Sequence, residues 1–283
     1  MAEATPKPAR RKLPLWLRIA LGLVIAAFVL VAAAVTLRFW ITSDSGRAFI
    51  ASQIDGRKLG PLGTIRVQGL KGDPLEAASI ADIALVDDEG VWLRAKDARI
   101  EWTPDSLFAG ELEIQKINIT TVDVLRATRV TASAEEGSAP DIGLSLDEVT
   151  IDDLHIDPSI MGSDAHYRIA GGASRRRDAS GFARLMLSPL EGPNDRADIT
   201  AEWSTTGSLK GGATVTGPAD GLIAALVQGP EDQPVAFTGR LDGTLAQFTG
   251  GATLAFGSEQ VASFDITRDA TQATLTADVA AAN

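Results

Sequence analysis

Several residue types are scarce or missing in this 283-residue chain, and each scarcity removes a class of function. There is no cysteine, which excludes disulfide frameworks, thiol nucleophiles, zinc knuckles and iron–sulfur ligation. Only two histidines, His155 and His166, are present, so a histidine-based metal site is nearly without ligands. Neither a glycine-rich phosphate loop nor a GxSxG elbow occurs. We therefore predict no catalytic site, no metal site and no cofactor.

The net charge of −11 hides an uneven distribution of charge along the chain. Residues 1–38 carry six basic residues against Glu3 alone, so residues 39–283 carry a net charge of −16. An acidic body of this kind repels phosphate backbones, which argues against a nucleic-acid partner. With 45% hydrophobic residues, the chain is long and apolar enough to bury a core.

An uncharged run, IALGLVIAAFVLVAAAVTL, covers residues 19–37 between Arg18 and Arg38. As a helix, these 19 residues span roughly 28 Å, close to the hydrocarbon thickness of a bilayer. In this helix, Trp16 and Trp40 would lie at the two membrane interfaces, where indole rings are favoured. These four flanking residues are therefore the predicted membrane-interface residues.

The charge distribution also predicts the orientation in the membrane. Basic residues ahead of the apolar run favour a cytoplasmic tail (1–18), a single transmembrane signal-anchor helix (19–41) and a translocated body. The alternative is a cleaved signal peptide with its small-residue cleavage site at residues 32–34. The anchor is favoured because the run exceeds the usual apolar region of a signal peptide, roughly 7 to 15 residues.

After a predicted short amphipathic helix at residues 43–56, capped by Ser43 or Asp44, the hydropathy pattern changes to a period of two residues. Alternation of apolar and polar residues over most of residues 64–283 predicts antiparallel strands with one apolar and one solvated face. Asp87–Gly90 reads as a hairpin turn between two of these strands.

Few other elements interrupt the predicted strands. Residues 171–181 read as a loop, and Gly221–Val227 reads as one or two helical turns capped by Asp220. A sheet with one apolar face and almost no helices must close on itself, pack on a second sheet or bind an apolar ligand. The residue pattern leaves these three outcomes open.

A pattern of three apolar pairs occurs twice, in LEIQKINITTVDV and in LSLDEVTIDDLHI, with every position offset by 32. The pairs recur every five residues, so strict alternation would put successive pairs on opposite faces. A bulged residue in each group of five returns them to one face, which predicts a long kinked strand or strand pair on a curving sheet. Two unrelated amphipathic strands are the alternative. The apolar positions are Leu112, Ile114, Ile117, Ile119, Val122 and Val124, and Leu144, Leu146, Val149, Ile151, Leu154 and Ile156.

The two histidines do not form an evident site in the sequence. In DDLHID, strand alternation sends His155 to the face opposite Leu154 and Ile156, together with Asp153, so a solvated polar edge is predicted. His166 reads as a loop residue. An anchored enzyme is disfavoured for the same reason, because no acid–base machinery is evident.

The chain resembles the N-terminal region of TamB-like proteins, within the wider AsmA-like group. The resemblance is carried by the anchor followed by FWITSDSGRAFIASQI, most specifically by GTIRVQGLKGDPLEAASIADIALVDDEGVWLRAKDARIEWTPDSLFAGELEIQKINITTVDVLR, and by GLIAALVQGPEDQPVAFTGRLDGTLAQFTGGATLAF. Family members are several times longer and end in a C-terminal domain with no counterpart here. Since the sequence ends in ADVAAAN within a predicted strand, we expect a fragment or truncated product.

The resemblance implies a mainly β fold: a half-pipe, or β-taco, anchored in the bacterial inner membrane and projecting into the periplasm. Its apolar concave face would bind phospholipid acyl chains through the twelve apolar positions above. The implied roles are phospholipid transport toward the outer membrane and support of outer-membrane protein assembly and secretion, with a TamA-like barrel as partner in the full-length family. The alternative is a structural adaptor that binds client β-strands at an open sheet edge without carrying lipid.

Overall fold

The computed structural model describes residues 36–127, 143–230, 232–244, 246–269 and 272–279. The chain divides into two compact units, Met1–Arg47 and Ala48–Asn283. In the first unit, residues 36–42 are helical and include Arg38 and Trp40. Among the residues described, no helix is both long and apolar enough to cross a bilayer. Most of the predicted anchor, with Trp16 and Arg18, lies outside the described residues.

Helix α1 (Asp44–Ile54) occupies the segment where the sequence predicts an amphipathic helix. The backbone N–H of Gly46 donates to Ser43 Oγ at 3.2 Å, which satisfies one of the free donors of the first turn. Gly56, at φ 78°, follows the helix in a left-handed conformation that glycine adopts without strain. The Asp55 carboxylate then accepts from the Val67 N–H at 3.0 Å and ties the helix end to the first strand.

A single open sheet of thirteen strands forms most of the described part of the second unit, so the protein is mainly β as predicted. Each strand pairs with its neighbours in the sequence, in the order β1 to β13. The strands are β1 (Thr64–Asp73), β2 (Ala77–Asp87), β3 (Gly90–Thr103), β4 (Glu111–Val124), β5 (Gly143–Ile156), β6 (Ala165–Arg175), β7 (Gly181–Glu191), β8 (Arg196–Trp203), β9 (Ser208–Gly217), β10 (Val235–Thr244), β11 (Phe248–Phe256), β12 (Glu259–Arg268) and β13 (Ala273–Val279).

One pairing differs from the all-antiparallel sheet that the sequence predicts: β4 and β5 are parallel. Their register joins each residue to the one 32 positions later, from Leu112 with Leu144 to Val124 with Ile156. The repeated pattern is therefore an in-register parallel pair. Parallel strands need a crossover connection of a dozen residues or more, and residues 125–142 supply that length.

The five-residue spacing is accommodated by bulges, as predicted. Against β6, β5 places two residues opposite one both between Leu146 and Val149 and between Ile151 and Leu154. The second bulge belongs to a line of skipped residues that crosses five strands, which we call the crease. Its members are Gly69, Ala81, Asp97, Thr120 and Asp152, and the paired registers resume on either side of them.

Two members of the crease adopt positive φ. Gly69 has φ 72° and Asp97 has φ 52°, conformations in which glycine is unstrained and aspartate is tolerated. Each strand from β1 to β5 has one extra residue at the same level. Side chains that are three residues apart along a strand across this level, such as those of Ala95 and Ala98, therefore project from the same face of the sheet. The crease therefore keeps the apolar face continuous across the level of the extra residues.

One of the predicted connections differs from the structure and another agrees with it. The predicted loop 171–181 shrinks to residues 176–180, because β6 continues to Arg175 and β7 begins at Gly181. The hairpin at Asp87–Gly90 is confirmed, since these two residues pair across the turn. The short helices are α2 (Pro158–Met161) and α3 (Leu222–Val227), and 3-10 turns lie at Gly60–Leu62 and Pro104–Ala109.

Candidate functional site

The face of the sheet that carries the repeated apolar pattern is apolar on every strand. Residues paired directly across neighbouring strands project to the same face, so the register defines rows of side chains. One row crosses all thirteen strands without a polar residue. Its members are Leu70, Ile80, Ala98, Ile119, Ile151, Ile169, Leu187, Ala197, Val215, Phe237, Leu254, Ala262 and Val279.

Two further rows extend this apolar face. The second runs from Gly72 to Ala277 through Ile117, Val149 and Ile199, and contains only apolar residues and glycine. The third runs from Trp102 on β3 to Leu275 on β13. At a strand spacing of ~4.8 Å, the thirteen strands give a strip about 58 Å long. Most polar residues of these strands lie on the opposite face, whereas Arg175 and Arg268 lie beyond the third row on the apolar face, paired with Leu144 and Phe248.

Much of this strip is not covered by other parts of the described chain. Leu185 and Ile199 on the central strands remain 42% and 39% exposed, and Leu144 remains 48% exposed. Leu275 and Val279 on β13 are exposed to 66% and 72%. Strands of a sandwich would bury such side chains under a second sheet, and the described residues contain none.

At the end of the strands next to α3, the apolar face is covered by other residues. Val122, Leu154 and Ile156 pack with Tyr167 in the largest core cluster, where Leu222 of α3 lies against them. On the later strands, Ile223 and Ala224 of α3 cover Val235. The apolar face thus has a sealed side next to α3 and an open side toward Leu112 and Leu144.

All twelve predicted lipid-contact residues lie on this face, as six directly paired positions of β4 and β5. Three of them, Val122, Leu154 and Ile156, are buried in the core cluster just described. The other nine keep partial or full exposure: Leu112, Ile114, Ile117, Ile119, Val124, Leu144, Leu146, Val149 and Ile151. A ligand can therefore contact mainly the six of these residues that lie away from α3: Leu112, Ile114, Ile117, Leu144, Leu146 and Val149.

The sealed side is held by a buried carboxylate that the sequence does not single out. Asp195 is fully buried and accepts three hydrogen bonds: from Tyr167 Oη at 2.6 Å and from the backbone N–H groups of Leu222 and Ile223, each at 3.0 Å. Asp195, and not the predicted Asp220, therefore satisfies the first turn of α3. We call this arrangement the Asp195 clip.

The packing around Asp195 also explains two glycines and the raised pKa of Tyr167. A Cβ atom on Gly217 or Gly221 would lie 2.4 or 2.5 Å from an Asp195 carboxylate oxygen, so both positions need glycine. Burial and the hydrogen bond to Asp195 raise the pKa of Tyr167 well above that of a free phenol. The clip is a structural device, because Tyr167 and Asp195 have no exposed surface.

The polar face carries a second cluster, which includes both histidines. His155 and His166 are paired across β5 and β6, and their rings stack with centroids 4.7 Å apart. His166 therefore belongs to a strand, and its prediction as a loop residue is wrong. The Asp164 carboxylate lies 2.6 Å from His155 Nε2 and 3.9 Å from His166 Nε2.

Carboxylates also surround the other sides of the two rings. His155 Nδ1 is 3.2 Å from Asp123 and His166 Nδ1 is 2.8 Å from Asp153. Burial lowers the pKa of His155, but its hydrogen bonds with Asp164 and Asp123 outweigh burial and raise it overall. Burial raises the pKa of Asp123, while hydrogen bonds from Lys96 and His155 lower it by more.

Comparison with known proteins adds no family to this description. No protein-family model, curated protein or solved structure matches the chain. The resemblance to TamB-like proteins is therefore a prediction that rests on the residues quoted above.

Proposed function

We propose that the sheet is a hydrophobic groove that binds phospholipid acyl chains, in a protein anchored to the bacterial inner membrane with its body in the periplasm. The groove carries lipid toward the outer membrane and supports the assembly of outer-membrane proteins, without catalysing a reaction. The single observation that carries the lipid-binding part is the uninterrupted apolar row from Leu70 to Val279. Anchoring rests on the apolar run of residues 19–37 and its flanking charges, whereas transport direction, periplasmic location and a TamA-like partner rest on the resemblance to TamB-like proteins.

The driving force for such binding is hydrophobic. Each Å² of apolar surface removed from water contributes roughly 25 cal/mol, and the exposed Leu185, Ile199 and Leu275 offer such surface along the strip. An acyl chain has no polar groups to satisfy, so a lining of aliphatic side chains and glycine backbone suits it. A folded protein rarely leaves an apolar patch of this length in water unless the patch binds something.

Curvature toward the apolar face is part of the proposal. On β3, Ala95 and Ala98 are almost fully buried between larger residues of β2 and β4. Small residues on β3 let the larger side chains of β2 and β4 converge, as the inner face of a bend requires. The crease lies between these two alanines and supplies the bulges that bend strands.

A photocrosslinking experiment tests the lipid-binding face. A photoreactive amino acid is placed at Leu187 or Phe237 on the apolar face, or at the adjacent Met186 or Thr238 on the polar face, in the full chain expressed in a Gram-negative host. Illumination should yield phospholipid adducts at Leu187 and Phe237 only. Equal adduct formation at Met186 and Thr238, or none at any position, would refute the groove.

A matched pair of variants gives an independent measurement. Ile117→Asp and Ile151→Asp put a carboxylate into the second and the first apolar row, whereas Asn118→Asp changes a neighbouring residue on the other face. Native mass spectrometry of gently extracted protein should show bound phospholipid in the unmodified chain and in Asn118→Asp, and its loss in the two isoleucine variants. Retention of lipid in all four proteins would contradict the assignment.

A second candidate function is the adaptor, and the last strand favours it. Within the described residues β13 pairs only with β12, and all seven of its residues are exposed. An unpaired strand edge is a template for an added strand. Crosslinkers at Thr274 and Thr276 should then capture client polypeptides, and lipid adducts on the apolar face without client adducts here would leave the groove as the sole function.

A further inference from the structure

The polar face brings the only two imidazoles of the chain to one point. His155 on β5 and His166 on β6 are direct cross-strand partners, and Asp164 lies two residues before His166. One ligand atom from each of these three residues can be chosen so that all lie within 4.8 Å of one another. Two imidazole nitrogens and a carboxylate oxygen are a common set of protein ligands for Zn²⁺.

The hydrogen bonds of the two rings indicate which nitrogen of each ring is available as a ligand. Asp123 and Asp153 are the partners of the Nδ1 atoms of His155 and His166, at 3.2 and 2.8 Å. With each Nδ1–H donating to a carboxylate, the lone pair of each neutral ring resides on Nε2, the atom on the Asp164 side. Metal-ligating histidines typically donate their second ring N–H to a carboxylate in this way.

The electrostatics of the cluster favour a cation. Three carboxylates, those of Asp123, Asp153 and Asp164, contact the two rings, whereas Lys96 is paired with Asp123 at 3.1 Å. With both rings neutral, the lone pair of His155 Nε2 would face the Asp164 oxygen at 2.6 Å, which is unfavourable unless a cation lies at that point. A proton can fill this role, and so can a metal ion.

From this arrangement we propose that His155, His166 and Asp164 bind a divalent transition-metal ion of the Zn²⁺ type, with Asp123 and Asp153 as the residues that hold both rings in the tautomer required for ligation. Tetrahedral Zn²⁺ with bonds of about 2.0–2.1 Å places its ligand atoms roughly 3.3 Å apart. Asp164 must therefore withdraw from His155 Nε2 by less than about 1 Å, and its side chain is 61% exposed and free to do so. Because the stacked rings lie within 14° of parallel, both must rotate about their Cβ–Cγ bonds, a soft torsion, for the two lone pairs to meet at one ion.

The ion would have a structural role. Its ligands come from β5, β6 and the turn that joins them, so it clamps this hairpin on the face opposite the lipid-binding rows. The hairpin adjoins the parallel pair β4–β5, whose connection is the long segment 125–142. The proposal is independent of the lipid-binding function, because the metal cluster and the apolar rows lie on opposite faces.

Equilibrium dialysis tests the site directly. The full chain is solubilised in detergent, purified through a tag that contains no histidine, stripped with a chelator and titrated with ZnCl₂ at pH 7.5. We expect one Zn²⁺ per chain in the unmodified protein and no stoichiometric binding in His155→Gln or His166→Gln. Asp123→Asn and Asp153→Asn should weaken binding by about 10- to 100-fold.

Controls separate the proposed site from other acidic surface. Asp198→Asn removes an exposed carboxylate of the polar face outside the cluster and should bind Zn²⁺ as the unmodified protein does. Substitution by Co²⁺ should produce the visible absorption of tetrahedral cobalt in the unmodified protein and not in His166→Gln, whose fold is checked by circular dichroism. Zinc binding that survives both histidine substitutions, or no binding by the folded unmodified chain, would overturn the proposal and leave a proton as the occupant.

Discussion

Removal of the carboxylate in the Asp195 clip should destabilise the sheet far more than removal of any exposed aspartate. In Asp195→Ala, three buried donors lose their acceptor: Tyr167 Oη and the N–H groups of Leu222 and Ile223. Each buried donor left without a partner costs about 1–3 kcal/mol, so the expected loss in the free energy of unfolding is about 3 kcal/mol or more. Tyr167→Phe keeps two of the three hydrogen bonds and should cost about 2 kcal/mol.

Urea unfolding of the detergent-solubilised chain, followed by tryptophan fluorescence, measures these losses. Asp198→Ala is the matched control and should change stability by less than about 0.5 kcal/mol, because its side chain is exposed. Hydrogen exchange adds local information, since the amides of Leu222 and Ile223 should lose protection in Asp195→Ala and keep it in Tyr167→Phe. Equal stability of Asp195→Ala and Asp198→Ala would refute the role of the clip.

Three further predictions follow from described contacts. Tyr167 is the only tyrosine, so tyrosinate absorbance reports on it alone. Because its pKa is raised in the folded state, its contribution to stability is complete below about pH 10 and is lost as the pH rises further. Ionisation of Tyr167 near pH 10 without unfolding would contradict this prediction. Gly69→Ala should destabilise by at least about 1 kcal/mol more than Gly207→Ala in urea unfolding, because both have positive φ but only the Cβ at position 69 would lie 2.7 Å from Ala81 Cβ. Leu187→Asp should abolish recovery of bound phospholipid whereas Met186→Asp should not, as measured by lipid extraction and mass spectrometry, and similar recovery from both would contradict the assignment of the faces.

The sequence predicts the class of fold and the apolar face of β4 and β5 well, because these depend on local spacing. The three-residue spacing between Ile114 and Ile117, which belong to successive apolar pairs, indicates a bulge within a single strand without knowledge of the neighbouring strands. The direction of pairing is different, since it depends on the path of residues 125–142. The observed parallel register has the same offset of 32, but the pattern of apolar pairs reads the same in either direction and does not by itself select a parallel over an antiparallel pairing.

The remaining parts of the candidate sites could not be read from the sequence because they depend on distant partners. Strands β7 to β13 contribute small residues such as Ala197 and Gly239, whose apolar row appears only once all registers are known. Asp195 looks like a turn residue in GPNDR, and its partners lie 27 and 28 residues away. His166 is likewise brought to His155 by the β5–β6 hairpin.

The match between strand order and chain order has a consequence for how such a protein varies in size. Because each strand contacts little besides its two neighbours, a hairpin appended beyond β13 would lengthen the groove by about 9–10 Å and leave earlier registers unchanged. Strand length, by contrast, sets the width. The length and the width of the sheet thus depend on different features of the sequence, so the number of strands can change without a change in the cross-section.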